Sequence, residues 1–252
     1  MQFLTLEILL LPETTKQTKK MEQIRIAALG DSLTRGVVLN KENRYSILKN
    51  NFIDIISRKL NLQIKNYGKF GCTIGFGHNV IDRYPTEISG SDVTFLEFGG
   101  NDCDFDWKTI AEAPGSEHSP KTILDSFIKQ FRLLIERVCE LGSKPIILSL
   151  PPIDSQAYFS FISRFMDETQ KSNVIKWLGG DIGIITRWHE QYNQALFEIS
   201  ETTRTPIIDI TSPFEKYDGE IMSLLCDDGI HPNELGHELI ACSITGAGIH
   251  LL

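Results

Sequence analysis

Apolar residues in this 252-residue chain follow two alternating patterns. Short runs that are apolar almost throughout predict strands buried on both faces of a sheet. Longer stretches with an apolar residue every three or four positions predict amphipathic helices. The strand-like runs cover residues 23–29, 62–66, 92–98, 145–150 and 206–210, and the clearest helical stretches cover residues 47–60, 122–141, 183–200 and 233–243.

The alternation of strand and helix patterns predicts how the strands pair. Parallel strands need a long crossover between them, and a helix usually supplies it. We therefore predict an α/β fold in which helices cover both faces of a parallel sheet. In such folds ligands bind beyond the carboxyl ends of the strands, so the residues that follow each strand are the first candidates for function.

Two segments do not fit this alternation. Residues 151–180 are rich in aromatic residues and mostly helical in character, and we interpret them as an insertion that packs on the domain or forms one wall or a lid of a pocket. Residues 1–20 contain a short apolar run but neither a basic n-region nor a small-residue cleavage site. We interpret them as an extension or a mis-assigned start, and residues 21–252 as a single domain.

Charge and cysteine content narrow the partners and the location. The formal net charge of −8 argues against a nucleic-acid binder, which needs an excess of Lys and Arg. Five cysteines without a CxxC pair do not suit a disulfide framework, and the N-terminal apolar run is too short to span a bilayer. His231 and His237 are spaced like a possible metal pair but lack an accompanying ligand pattern. We expect a cytoplasmic protein with no membrane span, metal or cofactor, and the sequence leaves its oligomeric state open.

Polar segments that carry candidate catalytic residues follow the predicted strands or precede the last helix. Ser32 lies in the segment GDSLT at the first turn from strand to helix, where a serine is either a helix cap or a nucleophile. A nucleophilic serine needs a histidine base that a carboxylate holds in place. Asp228 lies three residues before His231 in the segment DDGIH and supplies this pair, with Asp227 as the alternative carboxylate.

Attack on an ester carbonyl also needs donors for the developing oxyanion. The backbone N–H of Ser32, the backbone N–H of Gly71 and the side-chain amide of Asn101 follow strands and are expected to converge at the carboxyl edge of the sheet. Gly68 is a second candidate glycine in the same segment. Residues 104–107 come soon after Asn101, and the acidity of this loop is expected to disfavour strongly anionic substrates nearby.

Together these segments resemble the sequence blocks of the SGNH hydrolases, the GDSL-type esterases and lipases, over residues 30–232. The resemblance implies a three-layer α/β/α sandwich with a five-stranded, mostly parallel, flavodoxin-like sheet. It makes Ser32 the nucleophile and Asp228 and His231 the other members of a catalytic triad. It makes Ser32, Gly71 and Asn101 the donors of the oxyanion hole.

The activity that this resemblance implies is hydrolysis of a carboxylic ester through an acyl-enzyme. We expect the substrate to be a small molecule, a short acyl (acetyl-type) ester of a carbohydrate or of another small polar compound. A lysophospholipase or thioesterase acting on longer acyl chains is the alternative within the same class. A nucleotide-binding module is an alternative from another class, although GDSLTRG has neither the GxGxxG nor the GxxxxGK[ST] spacing, and a catalytically silent member of the fold is a third.

Overall fold

The structure, a computed structural model, describes residues 23–248, so the segment predicted to be an N-terminal extension lies outside the described residues. Its strands are β1 (Arg25–Gly30), β2 (Val37–Leu39), β3 (Tyr45–Ile47), β4 (Gln63–Asn66), β5 (Val93–Glu97), β6 (Lys144–Leu148) and β7 (Ile207–Ile208). Its α-helices are α1 (Ser32–Arg35), α2 (Phe52–Lys59), α3 (Ile74–Arg83), α4 (Pro85–Ser89), α5 (Trp107–Glu112), α6 (Leu124–Glu140), α7 (Ser155–Ile162), α8 (Glu168–Trp177), α9 (Ile184–Thr203), α10 (Ser212–Glu215) and α11 (Glu234–Gly248).

Five strands form one sheet in the order β4-β1-β5-β6-β7, and each neighbouring pair is parallel. This order is that of a flavodoxin-like sheet, with β1 at the point where the direction of winding reverses. The fold class predicted from the apolar pattern and the family resemblance is therefore confirmed. Each of the five strands begins and ends within two residues of the predicted run.

Helices cover both faces of this sheet because its strands are apolar on both sides. Ala28, Phe95 and Leu148 pack on one face in a cluster with residues of α2, α10 and α11. Ala27 and Leu96 pack on the other face with residues of α3, α6 and α9. These two clusters make the three layers of the sandwich. Within residues 23–248, no helix is both long enough and apolar enough to cross a membrane.

A third apolar cluster lies away from the sheet and is built largely from the aromatic-rich segment at residues 151–180. Helices α7 and α8 lie in this segment, in keeping with its mostly helical pattern. Tyr158 and Val174 from these helices pack with Trp107 and Ile110 of α5 and with Ile185 of α9. The inserted helices thus extend the domain beside the loop that follows β5.

The predicted helical stretch at residues 47–60 is too long at its beginning. Ile47 belongs to β3, which pairs antiparallel with β2, and its side chain is 52% exposed. Helix α2 begins at Phe52 because Asn51 caps it: the Asn51 side chain accepts hydrogen bonds from the backbone N–H groups of Ile53 and Asp54. The hairpin of β2 and β3 was not predicted, and it lies beside the site described next.

Candidate active site

Ser32 is the first residue of α1 and lies two residues after Gly30, the last residue of β1. Asp31 caps this helix, because its side chain accepts a hydrogen bond from the backbone N–H of Leu33 at 2.9 Å. The sequence left open whether Ser32 is a cap or a nucleophile, and the structure gives the cap to its neighbour. The Ser32 hydroxyl is therefore available for another interaction.

A continuous chain of hydrogen bonds joins Ser32 to the loop before α11. The Nε2 atom of His231 lies 2.9 Å from the Oγ of Ser32, and the Nδ1 atom of the same ring lies 2.7 Å from the Oδ2 of Asp228. Asp228 is fully buried, whereas Asp227, the alternative carboxylate, is exposed. The contact with His231 is thus made by Asp228, the carboxylate that the sequence analysis favoured, and not by Asp227.

Burial by itself raises the pKa of Asp228, but hydrogen bonds outweigh this effect and lower it below its ordinary value. The donors are the His231 ring and the backbone N–H groups of His231 and Ile230, which lie 3.1 and 3.2 Å from Oδ1. Asp228 therefore stays ionised and holds the ring in the tautomer that leaves Nε2 basic.

The turn that carries Asp228 and His231 is held by main-chain contacts. Gly229 has a φ of +71°, and a Cβ there would lie 2.6 Å from the carbonyl oxygen of Asp154. That close approach allows the Gly229 carbonyl to accept a hydrogen bond from the Asp154 N–H at 2.8 Å. The start of the inserted segment and the His231 turn thus support each other.

The residues of the three predicted oxyanion donors, Ser32, Gly71 and Asn101, line one cavity of about 290 Å³. His231 lines the same cavity. Gly71 has a φ of +71°, a left-handed conformation that favours glycine. Asn101 donates one side-chain N–H to Asp31 Oδ2 at 2.8 Å, which orients its amide and leaves the second N–H free to point elsewhere. Gly68, the alternative glycine, lines a different groove.

Two buried carboxyl groups lie beneath these donors, and the sequence did not reveal their contact. Glu97 Oε2 accepts hydrogen bonds from the Thr34 hydroxyl at 2.9 Å and from the backbone N–H groups of Thr34 and Asp31 at 3.3 and 3.4 Å. Burial, and then the nearby Asp31 carboxylate, raise the pKa of Glu97 well above its ordinary value. Burial also raises the pKa of Asp31, but donors from Leu33 and Asn101 oppose that change. Glu97 is therefore the member of the pair that keeps a proton, and Asp31 carries the charge.

Aromatic and apolar residues form the wall of the catalytic cavity. Tyr158 comes from α7, Trp188 and His189 come from α9, and all three line the cavity. Burial lowers the pKa of His189 to about 4, so this side chain is neutral at neutral pH. The spacing of aromatic residues along the sequence does not assign these positions to the cavity, because helical spacing gives no depth relative to a cavity that distant segments enclose.

Part of the negative charge in the loop after Asn101 is neutralised by neighbouring groups. Asp104 accepts hydrogen bonds from the Tyr158 hydroxyl and the Trp107 indole N–H, both at 2.8 Å. Lys121 forms an ion pair with the same carboxylate, also at 2.8 Å. Because its charge is matched, Asp104 gives little support to the expectation that this loop repels anionic substrates.

Tyr45 and Phe70 flank His231 at the mouth of the cavity, and sequence reasoning missed both. Their ring centroids lie 5.3 and 6.0 Å from that of His231, and the Phe70 ring is stacked on it. Burial and the Asp228 carboxylate raise the pKa of Tyr45, so its hydroxyl stays protonated. Phe70 lies between Gly68 and Gly71 in the segment after β4, but an aromatic residue there gave no signal of its own. Tyr45 lies on β3, a strand outside the main sheet that the sequence analysis did not predict.

The spacing of His231 and His237 does not produce a shared site. The His237 ring is fully buried and stacks on Phe52, and its Nδ1 accepts the Phe52 backbone N–H at 3.4 Å. Burial lowers the pKa of His237 to about 3, so the ring is neutral. Among residues 23–248, no group of three or more His, Cys, Asp or Glu side chains is arranged to hold a metal ion.

A parallel α/β sheet with a Ser–His–Asp hydrogen-bond chain at its carboxyl edge defines a serine hydrolase of the α/β/α class. The model of the GDSL-like lipase/acylhydrolase family matches residues 28–239. The chain belongs to this family and is a serine esterase or acylhydrolase.

Individual relatives are distant. A Bacillus subtilis (strain 168) protein named "Uncharacterized lipoprotein YqeF" is 26% identical over 204 residues, 77% of this chain and 73% of that protein. The structure of a lipase/acylhydrolase from Enterococcus faecalis has a TM-score of 0.58 at 20% identity, covering 89% of this chain and 94% of the other. A catalytic mutant of an acetylxylan esterase from Geobacillus stearothermophilus has a TM-score of 0.56 at 17% identity, covering 88% and 93%. These two structures share the fold of this chain.

The buried carboxyl pair makes a prediction about stability and pH. A carboxyl group whose pKa is raised in the folded state stabilises the fold at low pH, and this contribution is lost as pH rises toward the folded-state pKa. Glu97→Gln keeps an acceptor and a donor but removes the titration. We therefore expect the unfolding free energy of Glu97→Gln, relative to the wild type, to increase as pH rises above the ordinary glutamate value of 4.5.

Urea unfolding at several pH values between about 5 and 8 measures this difference. Glu190→Gln, an exposed change on α9, is the matched control and should show no trend with pH. A Glu97→Gln curve that runs parallel to the wild type at every pH would contradict a protonated Glu97.

Proposed function

We propose that this protein hydrolyses carboxylic esters through an acyl-enzyme formed on Ser32. The observation that carries the proposal is the unbroken chain from Ser32 Oγ to His231 Nε2 at 2.9 Å and from His231 Nδ1 to Asp228 at 2.7 Å. A hydroxyl is a weak nucleophile at neutral pH, and a base within hydrogen-bond distance removes that obstacle.

In the proposed reaction, Ser32 Oγ attacks the acyl carbon while His231 Nε2 takes the hydroxyl proton. The tetrahedral intermediate collapses when the bond from the acyl carbon to the alcohol oxygen breaks, and His231 returns the proton to the leaving alcohol. Water then attacks the acyl-enzyme with His231 again acting as base, which releases the acid and regenerates Ser32. Asp228 orients the ring and stabilises its charged form, and the cycle needs no cofactor.

The oxyanion formed in each half of the reaction needs donors that are already in position. We assign this role to the backbone N–H groups of Ser32 and Gly71 and to the free N–H of the Asn101 side chain. The bond from Asn101 to Asp31 supports the assignment, because a fixed amide does not have to reorganise as charge develops. Asp31 in this view is a positioning residue for Asn101.

For the substrate, we propose a short acyl ester, acetyl-type, of a carbohydrate or another small polar molecule. The catalytic cavity of about 290 Å³ is closed by large side chains, among them Trp107, Tyr158 and Trp188, which leave little room for a long acyl chain. The structural neighbour from Geobacillus stearothermophilus is an acetylxylan esterase, which supports the same choice.

The proposed location is the cytoplasm. All five cysteines of the chain are free thiols, and Cys139 and Cys242 are exposed, which suits a reducing compartment. The Bacillus subtilis relative carries the word lipoprotein in its name, which describes that protein. Fractionation of cells that produce this chain separates a cytosolic from a membrane-bound location.

Replacing the nucleophile tests the proposed reaction directly. We expect Ser32→Ala to lower the rate of p-nitrophenyl acetate hydrolysis by at least about a thousandfold. The variant should also lose labelling by a fluorophosphonate probe, because the probe reacts with an activated serine. Ser160→Ala, which removes an exposed hydroxyl on α7, is the control and should keep both properties. Undiminished hydrolysis by folded Ser32→Ala would refute the assignment.

The two adjacent acids provide a matched pair of variants. Asp228→Asn keeps the size of the side chain but allows the wrong histidine tautomer, so kcat should fall by about a hundredfold to ten-thousandfold. Asp227→Asn makes the same chemical change at an exposed position and should leave kcat within about twofold. Steady-state kinetics on p-nitrophenyl acetate measures both. Equal losses in the two variants would show that Asp228 has no special role.

A series of p-nitrophenyl esters tests the proposed acyl length. We expect kcat/KM to be highest for acetyl or propionyl esters and to fall by at least about tenfold for octanoyl esters. Trp188→Ala removes part of the cavity wall and should move the optimum toward longer chains. Phe165→Ala removes an aromatic ring that is 87% exposed and should leave the profile unchanged. A wild-type maximum at long chains would favour the lysophospholipase or thioesterase alternative.

A further inference from the structure

A second and larger depression lies beside the catalytic cavity. It has a volume of about 980 Å³, compared with about 290 Å³ for the cavity that holds Ser32. Residues of the hairpin of β2 and β3, of the segment after β4 and of α3 line it. We call this depression the hairpin groove. Its volume is in the range of sites that bind small molecules.

Two side chains connect the hairpin groove to the catalytic cavity. Tyr45 and Phe70 line both depressions, and their ring centroids are 4.8 Å apart. The same two rings flank His231, so they form a boundary that the groove and the catalytic cavity share. A molecule whose ester bond lies at Ser32 can therefore extend past these two rings into the groove.

The charges of the hairpin groove differ from those of the chain as a whole. The chain has a formal net charge of −8, yet Arg35, Lys69 and Arg83 all line the groove. Within residues 23–248, none of these three side chains forms an ion pair. Asp82 also lines the groove, but its carboxylate is paired with Arg137. The groove therefore presents unmatched positive charge.

The groove also offers aromatic surface close to these cations. Tyr67, Phe76 and Tyr84 line it, and the ammonium group of Lys69 lies 5.3 Å from the centre of the Phe76 ring. Arginine guanidinium groups match carboxylate and phosphate oxygens with two parallel hydrogen bonds. A ligand that has both an anionic group and an apolar ring face would use both kinds of surface.

We infer that the hairpin groove binds the alcohol part of the ester when that alcohol carries an anionic group, either a carboxylate or a phosphate. The inference rests on the proposed function, because it assigns the leaving group of the reaction at Ser32. The chemistry is unchanged: the bond between acyl carbon and alcohol oxygen breaks, a bond from the acyl carbon to a water oxygen forms, and the anionic alcohol leaves with a proton. The groove adds binding energy to the anionic part of the substrate.

Two matched pairs of substrates test this inference on the wild-type enzyme, with release of acetate as the measurement. Acetyl glycerol 3-phosphate and acetyl glycerol differ by a phosphate. An acetylated oligogalacturonate and its methyl-esterified form differ by the charges of the carboxylates. We expect kcat/KM to be about tenfold higher for the charged member of at least one pair, and the pair that responds identifies the anion. No preference for charge in either pair would overturn the inference.

Variants show whether this preference comes from the groove. The double variant Lys69→Gln/Arg83→Gln should reduce the ratio of kcat/KM between charged and neutral substrates by about fivefold. Lys129→Gln/Lys176→Gln changes the net charge of the protein equally at exposed positions on α6 and α8, and should keep the wild-type ratio. An equal ratio in the two double variants would assign the preference to net charge and overturn the inference.

A binding measurement separates failure of the groove from failure of the proposed function. If the wild type releases acetate from none of the four esters and hydrolyses no p-nitrophenyl ester, the proposed function is wrong. Calorimetric titration with unacetylated oligogalacturonate and with glycerol 3-phosphate then still tests the groove. Binding of one of them that Lys69→Gln/Arg83→Gln weakens would support the anion site, and the absence of binding by both would overturn it.

Discussion

The parallel pairing of β1 with β5 brings the candidate catalytic segments together. In this register Gly30 lies opposite Glu97, so the segments that follow the two strands leave the sheet side by side. One of these segments carries Asp31 and Ser32, and the other carries Asn101. Because the strands run in the same direction, no loop has to reach across the sheet to bring these residues together. The remaining contacts of the site are built around this edge.

The buried carboxyl pair shows that the edge is arranged for more than stability. Isolated charges are costly in a protein interior, and Asp31 and Glu97 are both almost fully buried. Hydrogen bonds from Thr34, Leu33 and Asn101 offset part of that cost, and a proton retained on Glu97 removes one of the two charges. The result is a fixed carboxylate that orients Asn101. Departures from the rule of an apolar interior are expected at functional sites, where position matters more than stability.

Segments outside the main sheet shape what the edge is able to bind. The inserted helices close one side of the catalytic cavity. Asp154, which caps α7, donates its backbone N–H to the carbonyl of Gly229, in the turn that carries Asp228 and His231. The hairpin of β2 and β3 borders the other side and brings Tyr45 against His231. A closed, aromatic cavity on one side and an open, cationic groove on the other would handle the two halves of an ester differently. Proteins that share a fold differ mainly in such loops and insertions, which is where differences in binding arise.

The sequence by itself determined the elements and the chemistry that are encoded locally. Apolar runs predicted the five strands because a strand buried on both faces needs apolar side chains throughout. The segments after the strands pointed to Ser32, Gly71 and Asn101, and the segment before the last helix pointed to Asp228 and His231. The predicted start of α2 was wrong by several residues, because Ile47 fits a helical spacing by chance. The Asn51 cap decides where that helix begins.

Only the tertiary structure decided which of these residues meet and what surrounds them. The choice of Asp228 over Asp227 depends on burial, and the contacts of Glu97 with Thr34 and of Asn101 with Asp31 join positions more than 60 residues apart. Tyr45, Phe70 and the cations of the hairpin groove come from four parts of the chain that share no motif, namely β3, the segment after β4, α1 and α3. Spacing along a chain encodes local geometry, but a cavity is made where distant segments pack together, and packing is a property of the whole fold.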